Sequence, residues 1–474
     1  MRSALPLVAG LVLVAIPAAA QEGAPTECVL NPEASPTTRI TYGRSPTGAE
    51  QLFVGGGAFV RCPERGLTLS SDSAEYYGER RVWYLIGTVR YREPRLSLDS
   101  QRLTYWMNEE RLLAEGSVVS RLPNGTQMRG PRAEYFRAVA GVRERTRMVA
   151  IGRPQFELVE TDTAGRPVEP VHLVADHVVM EGDSLVFARG RVEITRPDVL
   201  ASGDSAALDS GRAWARLMRG PRIEGRGEQP FVLTGTTIDM WSTDRRLERV
   251  LSAGEATIDS EDLDLRSDTI DLRLADDRLQ RAFAWGRSRA RAISSASDIL
   301  ADSLDVHIPN QRLAEVRAVG GAFAQSTPDT SRIRTVERDW MAGDTLIARF
   351  DTTAVPPPAE AAPGEPGTDS ERTDASRLRE ILATGGARSY YQLAPEDTTE
   401  LRPSVNYVVG NRILIYFADG QVQVVTVTEQ TFGVLLQPGE PGNPARGNTT
   451  APVSPRPPVP SAPPARPRPQ EGPP

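Results

Sequence analysis

A short pattern returns along this chain at intervals of roughly 30 to 40 residues, the spacing that marks a repeat architecture. Its first half is an apolar pair, a small residue and an Asp. It reads Leu67-Thr68-Leu69-Ser70-Ser71-Asp72, Leu96-Ser97-Leu98-Asp99, Leu173-Val174-Ala175-Asp176 and Leu200-Ala201-Ser202-Gly203-Asp204. It returns as Leu263-Asp264-Leu265-Arg266-Ser267-Asp268 and Ile299-Leu300-Ala301-Asp302. Each copy is answered by Ala-x-Gly or a near variant, ending at Gly87, Gly116, Gly152, Gly190, Gly220, Gly254, Gly286 or Gly320. A unit this short cannot bury its own apolar face, so the copies must stack. A stack spreads function over a surface and needs no single catalytic cluster.

Within a repeat the apolar period is two, which predicts strands. The parity then slips. Leu96, Leu98 and Ser100 give way to Leu103, Tyr105 and Met107, and Leu263, Leu265 and Ser267 to Ile270, Leu272 and Leu274. Phe231, Leu233 and Gly235 are followed in the same way by Ile238 and Met240. A one-residue slip turns the second set outward unless the strand bulges or bends there. Each repeat therefore reads as a bent β-hairpin, with the glycine at its close. Turn residues join the strands at Tyr77-Gly78-Glu79-Arg80, Met107-Asn108-Glu109-Glu110, Pro123-Asn124-Gly125 and Ala275-Asp276-Asp277-Arg278. Asp beside a bend caps local backbone more readily than it holds a cation.

Composition narrows the function class. The net charge of -7 over 474 residues argues against a nucleic-acid partner. All 55 basic residues are arginine, whose fork suits phosphate and carboxylate groups. The start, Arg2 followed by the apolar run Ala4 to Ile16 and by Pro17-Ala18-Ala19-Ala20-Gln21, reads as a signal peptide of residues 1–20, cleaved after Ala20. An exported mature chain is therefore expected. Cys28 and Cys62 are the only cysteines, and in an oxidising compartment they are expected to form one disulfide. It would contribute about 3–4 kcal/mol by loop entropy. With only His172, His177 and His307 in the chain, and the first two on opposite faces of a strand, no metal site and no cofactor are expected.

The chain divides further by composition. Residues 21–50 read as a loosely ordered lead-in, 51–350 as the repeat body, and 351–376 as a disordered Pro/Ala/Glu insertion. Strands resume over 377–437, where Tyr407 to Gly420 returns through Gln421 to Val427; they either continue the stack or cap it. Residues 438–474 are a proline-rich tail of polyproline or disordered character.

The segments Leu98-Asp99-Ser100-Gln101-Arg102-Leu103-Thr104-Tyr105 and Arg111-Leu112-Leu113-Ala114-Glu115-Gly116-Ser117-Val118 resemble the OstA-like (organic solvent tolerance), LptA-type family of periplasmic lipopolysaccharide-transport proteins. The likeness spans about residues 67–350 and, more weakly, 378–395. It implies an all-β fold, an open β-jellyroll or β-taco of stacked bent hairpins, whose apolar groove holds lipid acyl chains. It also implies pairing by edge strands with other OstA-like proteins and an outer-membrane receptor as a further partner. A receptor-type membrane barrel would need many more strands than follow residue 437.

The expected groove lining is Leu96, Leu98, Leu103, Tyr105, Leu200, Leu208, Leu233, Ile238, Leu263, Leu265, Ile270, Leu272, Leu304 and Val306. Each of these also suits an ordinary packed core. The function expected is therefore a non-enzymatic carrier or bridge for lipopolysaccharide or a similar envelope lipid. The alternative is a β-solenoid that scaffolds or adheres at the envelope without lipid cargo. A polysaccharide-cleaving enzyme is disfavoured, because no acidic pair with a supporting His or Arg stands apart from the repeating Asp pattern.

Overall fold

A computed structural model describes residues 31–438, except 34, 160–169, 198, 227–229, 244–245, 261–262, 277, 295–296, 310–311, 327–332, 352–377, 394–401, 419–420 and 430. The expected signal peptide, Cys28, most of the insertion and nearly all of the proline-rich tail lie outside them. The described chain is almost wholly antiparallel β-structure. Among the described residues no helix is long and apolar enough to cross a membrane. The chain forms two compact units: residues up to Gly125 with Arg132–Glu134, and Thr126–Pro131 with Tyr135 onward.

In the first unit, pairing begins ahead of the repeats. Strand β1 is Asn31–Pro32, β2 Arg39–Arg44, β3 Glu50–Gly55, β4 Ala58–Cys62, β5 Leu67–Ser71 and β6 Ser73–Tyr77. Three longer strands follow, β7 Val82–Glu93, β8 Leu96–Trp106 and β9 Arg111–Arg121. Each half of β7 has its own neighbours: Val82 to Ile86 pair with β6, Thr68 to Ser70 of β5 with Arg90 to Arg92. Both halves then pair with β8, across a register shift between Ile86 and Val89. Two ladders thus share long strands, and the shift marks the crease between them.

The second unit repeats this plan. Its strands are β10 Gln127–Phe136, β11 Arg147–Ile151, β12 Gln155–Leu158, β13 Val171–Val174, β14 His177–Glu181, β15 Leu185–Thr195 and β16 Val199–Asp209. Next come β17 Trp214–Met218, β18 Arg222–Gly225, β19 Phe231–Thr234, β20 Thr237–Thr243, β21 Arg246–Ser260, β22 Asp264–Ala275 and β23 Arg278–Ile293. The last are β24 Ser297–His307, β25 Glu315–Ser326, β26 Trp340–Phe350, β27 Leu378–Leu393, β28 Ser404–Ala418, β29 Gln421–Thr428 and β30 Phe432–Leu436. From β21 to β28 each strand pairs with the next in both ladders, with a register shift at the crease of every pair, such as Ala253/Ala256, Leu300/Ser303 and Thr384/Ala387; β22–β23 and β26–β27 have a second shift nearer the strand end.

The expected parity slip is present, and burial gives its rule. On Asp-bearing strands the buried residues flanking the crease are three apart, as in Ser100/Leu103, Ser267/Ile270 and Ala301/Leu304. On most glycine-bearing strands they are four apart, as in Leu85/Val89, Ala188/Val192, Ser252/Ala256, Ala318/Ala322 and Ala383/Ala387. The glycine strand therefore carries one extra residue at each crease, which is a β-bulge. Its two residues have positive φ: Gly87 (73°) with Thr88 (28°), Gly190 (76°) with Arg191 (45°), Gly254 (80°) with Glu255 (51°), Gly320 (87°) with Gly321 (51°). Glycine tolerates that conformation without the steric cost of a Cβ.

This corrects the reading of the glycine as the close of the hairpin. Hairpins close elsewhere, at 78–81 and 107–110 for example. At Gly87, Gly190, Gly286 and Gly320 the glycine sits in mid-strand, directly against an Asp across the ladder; Gly116 meets Gln101 and Gly254 meets Thr236 in the same way, whereas Gly152 and Gly220 lie between strands. A Cβ on Gly190 would lie 2.6 Å from Asp176 Oδ2, and one on Gly320 2.6 Å from Asp302 Cγ. In those four Asp-facing copies the two halves of the sequence pattern are two sides of one contact across the ladder.

Candidate functional site

The repeat leaves one face of each ladder apolar. In the second unit, a row of facing residues beside the crease runs Ala150, Val178, Ala188, Ala206, Leu217, Ile238, Ser252, Ile270, Ala284, Leu304, Ala318, Leu346, Ala383, Ile413. All are buried. From Leu304 on, large and small side chains alternate because Asp-x-large and small-x-Gly alternate in the sequence. Alternation of this kind lets a small side chain make room for the large one beside it. One step from the crease, a second row includes Val250, Leu272, Ala282, Val306 and Val316, all buried, and Leu208, Met240, Ala348 and Ile381, all half-buried.

The other ladder has its own row: Phe156, Leu173, Ile194, Ala201, Ile223, Leu233, Ile258, Leu265, Ala292, Ile299, Ala324, Met341, Ser389, Val408. Ile258, Ile299 and Ala324 are only half-buried. Ser389 is buried, and its hydroxyl has no hydrogen-bond partner among the described residues.

The sequence-predicted lining sorts onto this frame. In the first unit Leu96, Leu98, Leu103 and Tyr105 are buried, and the Tyr105 hydroxyl donates to Glu110 Oε2 at 3.0 Å. In the second, Leu233, Ile238, Leu265, Ile270, Leu272, Leu304 and Val306 are buried. Leu208 and Leu263 are half-buried. Leu200 is also half-buried but faces the other way, paired with Thr195 and Glu224, while Ala201 occupies the inner row. Sequence reading missed large inner residues such as Leu217, Ile223, Leu346 and Ile413, which lie outside the clearest copies of the pattern, and the small ones, because Ala and Ser carry no hydrophobic signal of their own. The recurring small-x-Gly spacing was the available clue.

The opposite face is ionic and aromatic. Asp239, itself buried, accepts from Arg216 at 2.6 and 2.9 Å and from the Trp214 indole at 3.2 Å. Asp271, also buried, accepts from Arg249 at 2.9 and 3.0 Å and from Arg273 at 3.0 Å. Arg216 and Arg249 lie over Trp214 and Trp241 at 5.4 and 4.8 Å. Asp239 and Asp305 raise the pKa of Arg216 and Arg281 above the ordinary guanidinium value. These forks hold adjacent strands in register.

The crease aspartates act on backbone and on arginine. Asp268 accepts from the amides of Arg287 (2.5 Å) and Ser288 (2.9 Å), and those bonds, Ser288 first, pull its pKa below the usual carboxylate range. Asp176 takes a two-point contact from Arg191, 2.5 and 3.1 Å, which likewise lowers its pKa. Among the described residues no group of three or more His, Cys, Asp or Glu is placed to hold a metal ion. Cys62 is buried and disulfide-bonded, while Cys28 lies outside the described residues.

Near the chain's end, Asp339 is lifted above its ordinary pKa by burial, although Gln392 donates to it through its backbone amide at 2.9 Å and its side chain at 3.2 Å. Burial and Glu337 together push the Tyr390 hydroxyl up. Trp340 and Tyr390 stack at 6.2 Å on the face away from Met341 and Ser389. No family model matches the chain, and no curated protein matches it.

Proposed function

We propose that this chain is a non-enzymatic periplasmic carrier or bridge for lipopolysaccharide or a similar acyl lipid, with an open β-taco or jellyroll as its working form. The observation that carries the reading is the apolar lining itself, which passes from strand to strand without a charged residue in the crease-side row. Extended acyl chains need such a lining, because burying unpaired polar groups against hydrocarbon is costly. The half-buried members, Leu208, Met240, Ile258, Ile299 and Ala324, keep surface for a ligand in the described form, and buried neighbours such as Leu265, Ile270 and Leu272 become lining when the taco opens. Free edges suit the bridging role. Among the described residues β29 and β30 pair only with β28, and β2 in the first unit only with β3. Unpaired strand edges accept further strands, here from OstA-like partners or an outer-membrane receptor.

The scaffold reading keeps one specific support: every residue of the crease-side row is buried. Lipid extraction separates the two. The chain purified without detergent from a lipopolysaccharide-producing cell should yield stoichiometric acyl lipid by mass spectrometry. A chain that is folded and carries none favours the scaffold.

A further inference from the structure

The first unit contains a cavity of about 670 Å³ that the lipid reading does not use. Its floor includes Tyr77, Tyr84 and Thr104, and its walls come from the ends of the β2–β3 and β6–β7 hairpins. The volume falls in the range of ligand sites, about 300–1,000 Å³. Four carboxylates line it, Glu50, Glu75, Glu79 and Glu115, against the two guanidiniums of Arg80 and Arg102. The Tyr77 and Tyr84 rings meet edge to face at 5.8 Å, and Ile86 beside them is 44% exposed. Among the described residues the Tyr84 and Thr104 hydroxyls and the Arg102 guanidinium have no hydrogen-bond partner.

We propose that this cavity docks a proline- and arginine-rich segment, supplied by residues 451–470 of a second copy of the chain. That segment holds nine prolines and three arginines, Arg456, Arg466 and Arg468, with no acidic residue. A proline-rich strand presents pyrrolidine rings and backbone carbonyls but few N–H donors, so its site must offer flat aromatic surface and donors. Tyr77, Tyr84 and Ile86 supply the surface. Tyr84, Thr104 and Arg102 supply donors that are otherwise unused. Glu50 and Glu79, both exposed, face the arginines. The acidic excess disfavours phosphate or any other anion as occupant. The proposal stands apart from lipid carriage.

The test is a photo-crosslinking residue at position 86 in the full chain, prepared from an equal mixture of light and heavy nitrogen isotopes. The expected product joins position 86 to a peptide within 451–470, with mixed light–heavy pairs marking capture from a second copy. Yield should fall at least tenfold with Glu50→Gln and Glu79→Gln combined, and equally with Arg456, Arg466 and Arg468 all changed to Ala. A crosslinker at exposed Val142 should not capture the segment. Capture only within one copy overturns the proposal. So do capture of a glycan instead, yields unchanged in both variants, or no capture at all.

Discussion

The sharpest test of the crease is Gly320→Ala. Gly320 has φ of 87°, and a Cβ there would collide with the Asp302 carboxylate, 2.6 Å from its Cγ. The left-handed backbone costs an L-residue about 1–2 kcal/mol. Displacing Asp302 from its rotamer adds about 0.5–1.5 kcal/mol, for a total of roughly 1.5–3.5 kcal/mol. Two other glycines separate these contributions. Gly220 (φ 69°) has nothing within 4 Å of its Cβ position, so Gly220→Ala should cost only the backbone share, about 1–2 kcal/mol. Gly286 has no positive φ but faces Asp268 Cγ at 2.7 Å, so Gly286→Ala should cost only the steric share, about 0.5–1.5 kcal/mol. Hydrogen-exchange mass spectrometry, read as local opening free energy in the strands flanking each site, measures all three. Adding Asp302→Ala to Gly320→Ala should restore much of the loss. Equal costs at the three glycines, or no rescue by the second substitution, would refute the across-ladder contact.

Other outcomes follow from individual contacts. Asp271→Ala leaves Arg249 and Arg273 without their shared buried carboxylate and should lower stability by about 2 kcal/mol in thermal melts, with Asp271→Asn costing less. Ala284→Leu inserts volume between fully buried Ile270 and Leu304 and should cost about 1–3 kcal/mol by urea midpoint. Ser389→Ala removes a buried hydroxyl that has no partner among the described residues and should raise the melting temperature, by about 1 kcal/mol equivalent. Asp268 has its pKa lowered by folding, so its contribution is present above the ordinary carboxylate value of about 4 and is lost as pH falls through the lowered one. Asp268→Asn should therefore flatten the acid side of the stability profile below about pH 4, while wild type keeps its slope.

Much of this architecture was legible one strand at a time. The slip from Leu96, Leu98 and Ser100 to Leu103 and Tyr105 is a property of one segment, and burial follows it residue by residue. What needed the structure was pairing. Gly320 and Asp302 are 18 positions apart, and nothing in either local sequence says that they touch. Asp239 and Asp271 look like surface charges until register sets Arg216 and Arg249 beside them. Leu200 was misplaced for a related reason. Its strand puts Ala201 inward, and a lone Leu beside an Ala outweighs it in any hydrophobic pattern. Of the inner rows, Leu233, Ile238, Leu265, Ile270 and Leu304 were read from the pattern, while Leu217, Ile223, Leu346 and Ile413 in the same rows were not, nor were the alternating Ala and Ser that complete them.

The most direct test of the lipid lining is photo-crosslinking along β22 in cells. The account predicts capture of acyl lipid at Leu265, Ser267, Ile270 and Leu272, and none at Arg266, Thr269, Asp271 or Arg273. Capture should alternate, with the alternation slipping by one residue at Asp268. Capture at every position alike, or at none while the chain is folded, would contradict it.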